Sequence, residues 1–519
     1  MLLKRIEAPS GTYSSKVCKH RLHIGRTCGC TLPRLTSASP LTPPTHIPGQ
    51  APWLLPCCPA SGLPRTAHPP DLTTNTRTKT MSVVSAPTKM RTPKEINGVI
   101  LRRVMPLLIG AYIMAFLDRT NIGMAKDRLE IDLGISATAY GIGAGLFFLT
   151  YALSEIPSNL IMHKVGARFW IMRIMITWGI ISACMAFVQG EWSFYIMRML
   201  LGVAEAGLFP GVMYFLTQWF VVKDRAKANG MFLLGVSIAN IVGAPLGGLL
   251  LTMDGFGGLH GWQWMFIIEG LPACLLAYVV WKKLPDRPTQ ATFLTPEEAT
   301  DLEARIAAEE KAGAEASGNH RLRDILKDKQ ILLVVGIYFT HQIAVYALSY
   351  FLPSIIGTYG KLNPLQIGLL TAIPWIFSAA GALLIPRFAT DGRRSRLLVT
   401  GTMIGIVSGF ALGAVGGPVL GMIGFCLAAF NFFALQPILF TYPATRLTGA
   451  ALAGGIAFVN TIGLCGGFLG PYVMGMMQDT TGSKLSGLWF IVGMCIIGAL
   501  LSLMLKRGTE KPQLAPVAH

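Results

Sequence analysis

Residues 104–125 read VMPLLIGAYIMAFLDRTNIGMA, an apolar run of bilayer-crossing length that holds Asp118 and Arg119 in its interior. A bilayer core of about 30 Å needs about 20 apolar residues in a helix. Each ionised group at the centre of such a helix costs about 2.5–3.5 kcal/mol on insertion scales. A charge pair is tolerated there only if it faces a partner helix or a water-filled cavity. Two readings follow: an ion pair that only fixes helix packing, or one that takes part in transport.

Working outward, the 519-residue chain is 52% hydrophobic and only 13% charged, with a mean hydropathy of +0.52. Soluble domains carry about 25% charged residues. No sustained period-two alternation supports a β-barrel. Twelve apolar runs are counted: 104–125, 138–162, 169–189, 194–217, 228–252 and 263–281, then 330–352, 365–388, 397–415, 419–442, 449–477 and 487–505. The chain is therefore expected to be an all-α polytopic membrane protein of twelve transmembrane helices in two six-helix bundles. Residues 81–282 form the N-terminal bundle, 283–329 a cytoplasmic linker and 330–519 the C-terminal bundle. Residues 1–80, rich in Pro, Thr, Ser, Arg and Cys, read as a disordered or mis-assigned N-terminal extension, with Met81 opening a short N-terminus.

The formal charge of +18 is explained by short basic loops and the basic leader rather than by nucleic-acid binding. Lys164 and Arg168, the Lys223–Lys227 cluster, the Arg393–Arg396 cluster, Arg446, and Lys506 with Arg507 share one side. The positive-inside rule makes that side cytoplasmic, together with both termini. In the linker, Thr295 caps an amphipathic helix that has Pro296 at its first position. The ten cysteines form no CxxC pair, and the spacing of His20 and His23 with Cys28 and Cys30 is irregular for a metal site. With no nucleophile elbow, phosphate loop or metal cluster, the sequence is not that of an enzyme. No cofactor is expected; a proton gradient would be the driving force.

The fourth run, from FYIMR to MYFL, holds Arg198 and Glu205 seven residues apart, two turns along one face. Two spans thus each place an acid and an arginine near mid-membrane. Arginine offers a planar, permanently charged fork for a carboxylate. A carboxyl group removed from water can take up and release a proton near neutral pH. Arg119 is expected to hold a substrate carboxylate, Asp118 and Glu205 to carry protons, and Arg198 to restrain Glu205. Glu155, before Pro157, is paired with Arg173 as a gate or packing contact. Tyr151, Tyr346, Tyr350, Asn460, His341 and Gln342 are cavity candidates by helix position, and Glu269 after the WQWMF run is expected to cap a loop. NIVGAPLGGLL (240–250) and GGFLGPYVMG (466–475) are paired Gly-rich runs around Pro245 and Pro471. Such pairs occur in transporter gates and in ordinary close helix packing.

FLDRTNIGMA, LSEIPSN followed by HKVGARFWIMRIMITWG, RMLLGVAEAGLFPGVMYFLTQWF and WQWMFIIEGLP occur in this order between residues 116 and 272. Over about residues 95–505 the chain resembles the anion:cation symporter family of the major facilitator superfamily. It is most similar to the bacterial tartrate, phthalate, hydroxyphenylacetate and nicotinate permeases. The resemblance implies alternating access and proton symport of a small organic acid in a bacterial inner membrane; since one chain supplies both halves of a cavity, a functional monomer is expected. A proton-coupled drug or metabolite exporter is the alternative. It also implies substrate or proton roles for Asp118, Arg119, Arg198 and Glu205, a cavity role for Tyr151, and another for Asn460. Phe116 stands where sugar-acid members often have Tyr, and Val236 and Ser237 where some have Gln. This favours a less hydroxylated or aromatic carboxylate. The loop MHKVGARF lacks the usual acid, whereas RFATDGRRSR keeps Asp391.

Overall fold

The computed structural model describes residues 90–315, 327–447 and 449–506. The expectations for residues 1–80, including the His20–Cys30 group, lie outside them. Among the described residues, twelve helices are long and apolar enough to cross a membrane. The first six are Pro93–Leu133, Ala137–Val165, Ala167–Phe187, Glu191–Thr217, Val222–Leu251 and Gly261–Lys283. The last six are Lys329–Tyr359, Pro364–Phe388, Gly392–Val415, Pro418–Pro443, Gly454–Thr481 and Ser486–Leu503. The twelvefold count read from the apolar runs holds.

Polar residues in the loops start these helices by accepting from the first free backbone N–H groups. Ser136 Oγ accepts from Ala139 N at 3.1 Å. Asn363 forms a capping box with Gln366 behind Pro364, and Asp391 Oδ1 accepts from Arg394 N at 2.7 Å. The acid missing from the second-to-third loop is supplied from elsewhere: Asp286, just after the sixth span, accepts from Arg168 N at 2.8 Å. The first span runs past the charges at 126–132, which the hydropathy pattern assigns to a loop. Lys126 is buried there, its ammonium 3.5 Å from Asp127, 3.4 Å from Glu130 and 5.3 Å from the Phe351 ring. Local partners let the helix continue to Leu133.

Lipid offers no hydrophobic drive between helices, so close approach through small residues does the work. The second span packs on the eleventh and the fifth on the eighth. A Cβ added at Gly141 would sit 2.9 Å from the Pro471 carbonyl carbon, and one at Gly475 3.0 Å from Thr138 Cα. In the other seam, a Cβ added at Gly368 would sit 3.1 Å from Pro245 Cα and one at Gly248 3.1 Å from Leu365 Cα. The two Gly/Pro runs therefore occupy matching seams between the first six and last six spans.

Polar contacts also join the two halves at the end remote from the linker. Asp479 accepts from Ala137 N (3.2 Å) and Thr138 N (2.7 Å), capping the second span from the other half. Asp127 accepts from Lys484 Nζ at 2.9 Å and from Ser354 Oγ at 2.5 Å.

The linker helix, Pro296–Glu315, begins as its capping residues require: Thr295 N donates to Glu298 and Glu298 N to Thr295. The Arg91 fork reaches Glu298 with Nε at 2.8 Å and Nη2 at 2.5 Å, and Glu309 accepts from Val222 N at 2.8 Å. The linker is thus tied to the first six spans. The Arg91 hydrogen bond, followed by backbone donors, holds the Glu298 carboxyl down at about 2. A carboxylate depressed in the folded state stabilises above its ordinary value of about 4.3, and that contribution is lost as pH falls through about 2. Glu298→Gln should therefore speed hydrogen exchange in Pro296–Glu315 at neutral pH by about tenfold or more, since a charge-assisted bond contributes about 1.5–3 kcal/mol. Exchange equal to that of the unmodified protein would show that the linker is held by other contacts.

Candidate functional site

Successive residues of a helix point about 100° apart, so Asp118 and Arg119 serve different neighbours. Arg119 turns to the second and fourth spans, and its Nη2 donates to Glu205 Oε1 in a buried ion pair. Its guanidinium lies 4.7 Å from the Phe116 ring, 5.0 Å from Phe147 and 5.3 Å from Tyr151. Asp118 turns the other way and accepts from Ser182 Oγ of the third span.

Glu205 owes its position to a break that the apolar pattern does not reveal. The fourth span is two helices, Glu191–Glu205 and Leu208–Thr217, with Gly207 between them at φ +92°. Glycine takes that left-handed conformation without the Cβ clash other residues meet. The break frees backbone carbonyls, and Ser158 Oγ of the second span donates to Ala206 O at 2.7 Å. Trp170 Nε1 in turn donates to Ser158 at 2.9 Å. The SEIPSN segment therefore acts first as a clamp that presents Glu205.

Arg198, expected to restrain Glu205, does not make that contact; Arg119 does. Arg198 is buried against Phe147, 4.9 Å from the ring centre, with Nε and Nη2 unpartnered. One aromatic ring thus meets two arginines, each contact contributing about 0.5–2 kcal/mol of cation–π attraction. Glu205 Oε2, Arg119 Nε and Asp118 Oδ2 also lack partners. The site holds an ion pair with spare donors and acceptors on both members.

The proposed pairing of Glu155 with Arg173 is not formed. Arg173 stacks on Trp170 at 3.8 Å, a packing contact. Glu155 meets the other half instead, accepting from Asn460 Nδ2 at 3.3 Å. Tyr346 is buried with its ring 4.1 Å from Phe148 and 6.0 Å from Tyr350, so it joins the aromatic wall facing the second span. His341 lies in the packing of the last six spans, Nε2 2.9 Å from Phe432 O and Nδ1 3.1 Å from Gln342 Oε1. Glu269 caps no loop: it is buried within the sixth span. Phe147, Ser158 and Ser182 were not singled out from the sequence. Nothing in an apolar run distinguishes one Phe or Ser from the next until neighbouring helices are in place.

The pattern that defines the Major Facilitator Superfamily matches residues 108–471. A putative tartrate transporter of Agrobacterium vitis is 42% identical over 420 residues, which cover 80% of this chain and 96% of that protein. A quinolone resistance transporter of Acinetobacter baumannii is 39% identical over 420 residues, again 80% of this chain and 96% of that one. In fold, the crystal structure of a D-xylose-proton symporter aligns over 79% of this chain and 99% of its own, with a TM-score of 0.63 at 13% identity.

Ser158→Ala should leave the Ala206 carbonyl unpaired at the break, a loss of about 1–3 kcal/mol. The purified variant is expected to unfold several degrees below the unmodified protein in a thermal scan. An unchanged midpoint would show that the break is held by other contacts.

Proposed function

The chain belongs to the major facilitator superfamily, as a transporter of the anion:cation symporter type rather than an enzyme, and we propose that it imports an organic carboxylate together with protons by alternating access. The observation that carries this is the buried Arg119–Glu205 ion pair with unpartnered atoms on both sides. A substrate carboxylate competes with Glu205 for Arg119. Two carboxylates on one guanidinium repel in a low-dielectric site. Glu205, once displaced, is left in apolar surroundings where ionisation is costly, so it takes a proton. Substrate and proton then enter together, and neither member of the pair is left as an unpaired charge. The arginine stays charged throughout, while Asp118 and Arg198 balance one another beside it.

The wall of Phe116, Phe147, Tyr151 and Tyr346 supports an aromatic or sparsely hydroxylated carboxylate. Asn460, released from Glu155, offers a polar group from the opposite half, and the Glu155–Asn460 bond serves as a gate on the linker side. The basic loops support the linker and termini being cytoplasmic in a bacterial inner membrane. The closed seams at the remote end are then periplasmic. One chain supplies both walls of the cavity, consistent with a functional monomer.

The alternative, a proton-coupled exporter, has the support of the Acinetobacter relative. Energised membrane vesicles offered tartrate, phthalate, hydroxyphenylacetate and nicotinate separate the two. At least one should accumulate and be lost with a protonophore; outward drug movement indifferent to these acids would favour the exporter. Glu205→Gln should abolish proton-driven accumulation yet retain substrate exchange. Undiminished pH-dependent uptake in that variant would remove Glu205 from the coupling.

A further inference from the structure

The eighth and tenth spans leave a groove of about 790 Å³ between them on the outside of the last six spans. Sites that hold small molecules enclose about 300–1,000 Å³. Small residues give the groove its shape. At Gly381 the two spans touch backbone to backbone, since an added Cβ would sit 2.7 Å from the Phe430 carbonyl carbon. Helices that cross at one level diverge away from it, and these diverge toward the end remote from the linker. There Tyr359, at the end of the seventh span, reaches across to Gly421, whose added Cβ would lie 2.6 Å from the Tyr359 hydroxyl. The groove thus opens beside Leu362 and Pro418 and ends at Phe430. From Val419 to Phe430 is about 17 Å at 1.5 Å per residue, close to one leaflet's half of the roughly 30 Å hydrocarbon core.

Phe377, Val419 and Ile423 are exposed along its edges, and Cys426 is buried beneath them. Such walls suit an acyl chain without choosing between lipids; the mouth can choose. Lys361, next to Leu362, is exposed and makes no ion pair among the described residues. The turns 357–363 and 415–418 hold no acid. Asp127, which borders Gly357, is already met by Lys484 at 2.9 Å and Lys126 at 3.5 Å. A cation without a counter-charge therefore stands at headgroup level, at the mouth of an apolar slot one leaflet deep. A second copy of the chain packed symmetrically here would present the same acid-free turns, and so would leave Lys361 unmatched. We propose that the groove binds an anionic phospholipid of the leaflet remote from the linker, with Lys361 on its phosphate and one acyl chain along Val419–Phe430. A lysine at this level attracts anionic headgroups, and the chain gains dispersion contacts over the depth of the leaflet. The bound lipid braces the eighth and tenth spans where they diverge.

The purified protein, stripped of lipid in detergent, is titrated with phosphatidylglycerol or phosphatidylethanolamine of identical acyl chains. Native mass spectrometry counts the lipids retained, and a thermal scan reads stability. Phosphatidylglycerol should be retained more tightly and should raise the unfolding midpoint further, because a ligand of the folded state stabilises it. Lys361→Gln should cut that preference about fivefold, the effect of one lysine near an anionic headgroup, whereas Lys361→Arg should keep it. Ile423→Trp, which fills the groove from its exposed edge, should lower retention of phosphatidylglycerol although Lys361 is intact. Equal retention of the two lipids by the unmodified protein, or a preference that survives Lys361→Gln, would overturn the proposal. So would glycerol phosphate matching phosphatidylglycerol in the thermal scan, since the groove would then play no part. A dimer that forms only without lipid and is broken by Ile423→Trp would instead assign the groove to a second copy of the chain.

Discussion

A buried arginine–carboxylate pair between the first and fourth spans is the constraint to which the rest of the structure answers. Removing two charges from water costs several kcal/mol per ion, and their attraction offsets this only with good geometry. The protein secures that geometry by three local devices. Phe147 receives both Arg119 and Arg198, so the two cations share one ring. The fourth span breaks immediately after Glu205, with Gly207 absorbing the turn. Ser158 takes up the carbonyl that the break exposes. The pair is held well enough to exist, yet keeps unpartnered atoms on both members.

The proposed alternating access adds a second requirement, that this site be reachable from only one side at a time. Close packing of small residues makes that possible in lipid, because helices that meet backbone to backbone seal without bulky side chains. Both Gly/Pro runs lie in such seams, one in each half. Asp479 adds polar bonds across one seam, and Asp127 of the first span adds bonds to the other half, at the remote end. These contacts join the two halves through a few hydrogen bonds and many small surfaces, an arrangement that can part and re-form as rigid bodies. The Glu155–Asn460 bond crosses the same second-to-eleventh seam at another level.

Much of this was legible from residue types. Twelve apolar runs, basic loops on one side and charges inside two spans follow from the cost of placing polar groups in hydrocarbon. So the fold class, the number of helices and the identities of Asp118, Arg119, Arg198 and Glu205 as the unusual residues could be read directly. The linker helix start at Thr295–Pro296 was also legible, since capping is a local matter. Local signals misled where a distant partner intervened: Lys126 is buried because Phe351 and neighbouring acids receive it, and the loop acid absent near Gly166 is replaced by Asp286.

Pairing was beyond the sequence. Spacing put Arg198 and Glu205 on one face and suggested that they meet, but helix packing gave Glu205 to Arg119 and Arg198 to the Phe147 ring. It likewise moved Glu155 from Arg173 to Asn460 and set Glu269 deep within the sixth span. The sequence by itself determined which groups must be sheltered from lipid, because that depends on each residue's own solvation. Only the tertiary structure decided which groups shelter one another, because that depends on the rotation and approach of helices far apart in the chain.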